Sequence, residues 1–118
     1  VKFTESVRAL IKLRANNRCE LCGSRLLGGH IHHRQPRGMG GSRTVESKGS
    51  AANGLWIHPG CHMTIELSRA RALDKGWLIK QGQDPASTPV RLWDGWWLLA
   101  DDGTMARVDG PTREVSGP

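Results

Sequence analysis

The sequence contains no tyrosine, one phenylalanine and three cysteines among its 118 residues. It has no apolar run approaching the ~20 residues that cross a bilayer, so a membrane-spanning role is not expected. An odd number of cysteines argues against a disulfide framework. It suits a reducing compartment in which thiols bind metal. The opening VKFTESVRAL has no apolar stretch of the kind a secretory signal carries, and the expected location is the cytoplasm. Acidic residues are scarce at one end: residues 1–48 hold ten Lys or Arg and three acids, whereas residues 49–118 hold seven basic and eight acidic side chains. The whole chain is +6 with a pI near 9.9. A polyanion, with nucleic acid the commonest, is therefore the first partner to expect. A chain this short buries a modest core, and domains of this size often rely on a metal or disulfide staple.

The apolar pattern places the elements. Thr4 can cap a helix over 4–17, with Val7, Leu10 and Ile11 on one face. Cys19-Glu20-Leu21-Cys22-Gly23 reads as a tight turn, and His30 to Arg34 as a short extended segment. Residues 35–53, rich in Gly, Ser and Arg, read as a long loop, of a length that in compact domains is usually functional or mobile. Leu55-Trp56-Ile57 reads as a strand. A helix over 61–75 follows, with Ile65, Leu67, Ala70, Ala72 and Leu73 for packing and Gly76 as its stop. Trp77-Leu78-Ile79 reads as a strand. Residues 90–93 and 96–99 form a hairpin in which Asp94-Gly95 suits a two-residue type I′ turn. Trp93 and Trp96 should then face one another, with Trp97 pointing away. Asp101-Asp102-Gly103 turns the chain again into 104–108. These elements predict an α+β domain. Its core is residues 1–80, residues 81–108 form a hairpin extension of the same domain, and residues 109–118 form a frayed tail.

Two ligand pairs stand out. Cys19-x-x-Cys22 and His58-x-x-Cys61 each place two donors across one turn, and four such donors satisfy tetrahedral zinc in a closed, structural site. Gly23 permits the bend that the first pair requires. Buried thiols or a Cys19–Cys22 redox pair are the alternatives. A redox pair belongs before a helix in a thioredoxin-like context, which is missing here.

A second cluster follows. His30, His32 and His33 lie within four positions. In a strand, His32 and His33 point to opposite faces, so one can bind metal while the other reaches water. Asn53 follows the loop. His62 opens the next helix with Glu66 one turn on, where the two can share an ion or hold one another. A second zinc site, or solvated surface histidines, is the alternative.

The stretch His32-His33 … Asn53 … His62 resembles the HNH motif of the ββα-metal nucleases. The flanking CELCG … NGLWIHPGCH is similar to the zinc-bearing branch of that family, with His58 standing where a cysteine is usual. HHRQPRGMGGS with the later GCH and GW resembles small HNH endonucleases encoded by bacteriophages. The resemblance covers roughly residues 14–79. It implies a ββα-metal core, with His32 and His62 as ligands of a catalytic divalent ion (Mg²⁺, Mn²⁺, Ni²⁺ or Zn²⁺) and Glu66 as a further candidate ligand. It also implies His33 as general base and Asn53 as the residue that orients it. The implied reaction is metal-dependent hydrolysis of DNA phosphodiesters, by nicking or double-strand cutting. Phage genome packaging is the implied setting, with terminase as partner and the host cytoplasm as the location.

Arg34, Arg37 and Arg43 border this site, and Gly38, Gly40 and Gly41 let the backbone approach a phosphate. These arginines are expected to position DNA through phosphates rather than to read bases. Arg8, Lys12 and Arg14 extend the expected basic surface. The tryptophans suit core packing or a stacking platform for unpaired bases. The competing reading is a non-catalytic, zinc-bound DNA-binding or packaging-complex module.

Overall fold

The computed structural model describes residues 3–36 and 49–110. Helix α1 (Glu5–Ala15) begins where expected, because the Thr4 side chain accepts a hydrogen bond from the Val7 N–H. It buries Ile11 and Ala15, with Val7 and Leu10 packed against the core. Strands β1 (His30–His33) and β2 (Gly54–Ile57) pair antiparallel, His32 opposite Leu55 and His33 opposite Gly54. Every residue of β2 is buried, which explains its unbroken apolar run. Pro59 at the first helical position starts α2 (Pro59–Leu67) directly after β2. The described residues form an α+β fold with two small antiparallel sheets. No helix among the described residues is long and apolar enough to cross a membrane.

Four sequence expectations are corrected. The helix over 61–75 is two helices, α2 and α3 (Arg69–Lys75), separated at Ser68, a residue type whose side chain competes with helical bonding. Ile65 and Ala72 are buried, but Leu67 is 80 % exposed. Residues 77–79 are not a strand. The N–H groups of Trp77 and Leu78 both go to the Ala72 carbonyl, closing the end of α3 beyond the left-handed Gly76, and Ile79 N–H goes to the Arg34 carbonyl. In the C-terminal extension the hairpin of β3 (Val90–Leu92) and β4 (Gly95–Leu99) continues into β5 (Met105–Val108) after the expected turn, making a three-stranded meander. Its first turn is one residue earlier than Asp94-Gly95, since Leu92 pairs with Gly95, Arg91 with Trp96 and Val90 with Trp97. Trp93 is therefore a turn residue and does not face Trp96. Gly95 sits at φ 143 under the Arg107 side chain, where a Cβ would collide with the guanidinium. The positive φ, which side-chain-bearing residues rarely adopt, is what demands glycine here; the Arg107 guanidinium could move aside.

Arg34 and Arg14, expected at the surface, are internal. The Arg34 side chain is fully buried. Its Nε donates to Gly76 O at 2.9 Å, Nη1 to Ala52 O at 2.9 Å and Pro85 O at 3.1 Å, and Nη2 to Thr88 O at 2.8 Å. Burial draws its pKa down to about 9, with Arg14 adding to the fall and Glu20 opposing it; the group stays charged near neutrality. Arg14 makes a two-point ion pair with Glu20, both distances 2.8 Å, and also binds the carbonyls of Ala51 and Gly54. Neither guanidinium is open to a phosphate. Arg34→Met would take a charged donor from four carbonyls, of which Pro85 O keeps the Thr88 N–H, and should lower unfolding free energy by at least about 3 kcal/mol, read by urea denaturation. A loss of DNA affinity with stability intact would return Arg34 to a surface role.

Candidate metal sites and the histidine cleft

The turn after α1 is built by its own backbone. Cys19 N–H bonds to Ser24 O and Gly23 N–H to Cys19 O, both at 2.8 Å, and Gly23 takes the left-handed φ of 82 that this bend needs. The Cys22 N–H points at the Cys19 sulfur, 3.5 Å away. Long-range bonds then fix the turn against β2: Glu20 N–H to Trp56 O at 2.8 Å, and Trp56 N–H back to the Glu20 carboxylate at 3.0 Å. Because Arg14 neutralises that carboxylate, the buried Glu20 can serve as a rigid brace.

This frame brings Cys19, Cys22 and His58 together, with ligand atoms all within 4.8 Å of one another, and the group can hold a metal ion such as zinc. Cys61, in the first turn of α2, places its sulfur 3.6 Å from that of Cys19. Two thiolates on one tetrahedral zinc, at ~2.3 Å each, stand about 3.8 Å apart, close to this one distance, but Cys61 is not among the three donors that all lie within 4.8 Å of one another. Burial pushes the Cys61 thiol up to about 12, and Cys19 and Cys22 push the same way. Burial also raises Cys22, but the side-chain and backbone hydrogen bonds of Ser24, with Cys19 and Cys61, outweigh it and bring that thiol to about 7. Ser24 was not singled out from the sequence. Its hydroxyl lies 3.0 Å from Cys22 Sγ and 2.7 Å from His58 Nε2, joining the two ligand pairs.

The second cluster forms a cleft of about 290 Å³ where β1 meets α2 and α3, lined by His32, His33, His62, Glu66 and Arg69. His32 is buried and its Nε2 lies 2.8 Å from Trp77 O. A carbonyl only accepts, so the proton sits on Nε2 and the Nδ1 lone pair is left for a cation. The His62 ring lies 5.3 Å from that of His32 and 5.1 Å from that of His30, and its Nε2 is 3.5 Å from Glu66. These donors are more widely spaced than the cysteine group. His33 stacks on Phe3, ring centres 4.2 Å apart. Asn53 is fully buried and does not line the cleft. It accepts from Gln35 N–H at 2.8 Å and donates to Gln35 O at 3.3 Å, while its own carbonyl takes Arg34 N–H at 2.8 Å. It thus pins the chain just beyond His33. Arg37 and Arg43, with the glycines beside them, lie outside the described residues.

No protein-family model, curated protein or solved structure matches this chain.

Burial is the largest cause holding His32 down, from 6.5 to about 4; the Trp77 carbonyl opposes it, while His62, His33 and Arg34 add to it. The unfolded chain therefore binds the extra proton between those values. Stability from a neutral His32 is complete above about pH 6.5 and is lost as pH falls toward 4, on the order of 3 kcal/mol in all. His32→Gln keeps a donor for Trp77 O without titrating, so its urea-unfolding profile should be flatter than that of the parent across this window. Parallel profiles would show that His32 is not held neutral.

Proposed function

We propose that this chain is a metal-dependent endonuclease of the HNH type, hydrolysing DNA phosphodiester bonds. The observation that carries the reading is the convergence of His32 and His33 from β1 with His62 and Glu66 from α2 on one cleft. Two antiparallel strands followed at once by a helix is also the order that the HNH resemblance implies. His32 through Nδ1, His62 and Glu66 would hold the catalytic divalent ion, a nitrogen and oxygen set compatible with Mg²⁺, Mn²⁺, Ni²⁺ or Zn²⁺. That ion, when bound, supplies charge neutralisation at the phosphate and at the leaving oxygen. His33 takes a proton from water. The water oxygen bonds to phosphorus as the bond to the leaving sugar oxygen breaks. Phe3 against the His33 ring and Asn53 on the following backbone hold the base in place. Cys19, Cys22, His58 and Cys61 would form a closed structural zinc site, which has no open position for substrate.

The resemblance further supports a bacteriophage origin, action in genome packaging beside terminase, and the host cytoplasm as location. A single site of this kind cuts one strand, so a double-strand break requires two events or a dimer. The rival reading, a non-catalytic zinc-bound DNA-binding or packaging module, draws on one observation: the cysteine group is the tighter donor set.

Plasmid nicking after chelation and re-addition of each divalent ion separates the two. The intact chain should nick, and His33→Ala should lose ~10²-fold or more of the rate while remaining folded; equal rates would remove His33 as the base. Metal analysis should find one tightly held zinc, and Cys61→Ser should release it and lower the melting temperature. Full zinc retention in Cys61→Ser would leave the site three-coordinate from protein.

A further inference from the structure

Helix α2 presents His62 and Glu66 to the cleft, whereas Cys61 and Thr64 face a different concavity. This is a groove of about 390 Å³ between the cysteine turn, α2, α3 and β3. Arg71 and Lys75, one turn apart on α3, and Arg91 on β3 bring three cations to it, and no carboxylate lines it among the described residues. Its walls include two indoles. Trp77 Nε1 donates to Arg91 O at 2.7 Å, tying α3 to β3, and the Arg71 guanidinium lies over its ring at 5.8 Å. Trp93 packs on Gly23, carries the Arg18 guanidinium over its ring at 5.2 Å, and remains 46 % exposed. The three cations come from the half of the sequence with no net positive charge, so the fold, not composition, concentrates them here.

We infer that this groove is a second nucleic-acid site, taking one nucleotide of an unpaired strand with its flanking phosphates on Arg71, Lys75 and Arg91 and its base against Trp93. Charge selects a polyanion. Size selects the strand: the volume falls in the ~300–1,000 Å³ range of pockets that enclose one small ligand, which admits a nucleotide and excludes a duplex. Exposed indole surface selects a base over a bare anion, since every base has a face that aromatic side chains accept.

The test is fluorescence anisotropy of a labelled short oligothymidylate, and of a labelled duplex, over a salt series, using the zinc-loaded full chain. Arg71→Gln/Lys75→Gln/Arg91→Gln should weaken oligothymidylate binding at least ~10-fold. It should also reduce the salt slope by about two, at ~0.7 for each phosphate no longer neutralised. Trp93→Leu, which keeps apolar packing on Gly23, should weaken binding about fivefold or more with the slope unchanged. Duplex binding should change less in both. Unchanged oligothymidylate affinity and slope in both variants, at parental melting temperatures, would overturn the inference. So would displacement of the oligonucleotide by polyglutamate of matched charge, which would give the groove to an acidic protein. The inference does not rest on cleavage. An uncut plasmid with groove-dependent strand binding removes only the nuclease reading, and cleavage with groove-independent binding removes only this one.

Discussion

A single buried guanidinium holds the molecule together. Arg34 follows β1 directly and binds carbonyls from the turn before β2, from the end of α3 and from the segment leading into β3. Each of those carbonyls lies in a short 3-10 turn, at a helix end or in the chain beyond one, where helical and ladder bonding is sparse. A charged group with five donors in a fixed fork meets that need where a neutral side chain would not. The desolvation of the charge is offset by four charge-assisted bonds, and the three segments are thereby forced to meet behind β1.

The cleft follows from that meeting. Once Gly76 is fixed to Arg34, the Trp77 carbonyl stands within 2.8 Å of His32 Nε2, and the ring is set in one tautomer. Asn53 completes the arrangement by holding Gln35 on both backbone groups. A second buried guanidinium does the same for the cysteine turn, where Arg14 neutralises Glu20 and Glu20 joins the turn to β2. Helix α2 then shares its residues between the two: Cys61 belongs to the thiol cluster and His62, its neighbour, to the cleft. A short helix can serve both because consecutive residues point about 100° apart.

Much of this is legible in the sequence. Capping at Thr4, the apolar β2, the stop at Gly76 and the paired ligand spacings are local signals, and local chemistry sets them. The failures share a cause. Arg34 and Arg14 read as surface cations because residue type predicts exposure, and only distant carbonyls and a distant carboxylate make their burial tolerable. Trp77-Leu78-Ile79 has strand-like side chains, but its N–H groups are taken by the last turn of α3 and by the Arg34 carbonyl. The hairpin pairs Leu92 with Gly95, one residue from the register that Asp94-Gly95 suggests, and places Gly95 in β4 with Arg107 of the third strand over it.

Donor identity and spacing are thus properties of the chain alone. Two Cys three positions apart, two adjacent His, and His and Glu one helical turn apart state which atoms can approach a cation, because backbone geometry limits their reach. Which donors converge is a different matter. Ser24 between Cys22 and His58, Phe3 on His33, and Arg71 and Lys75 beside Arg91 are juxtapositions that the fold creates across the chain. They exist only because burying β2 and satisfying the polar groups around it permits few arrangements of the remaining chain.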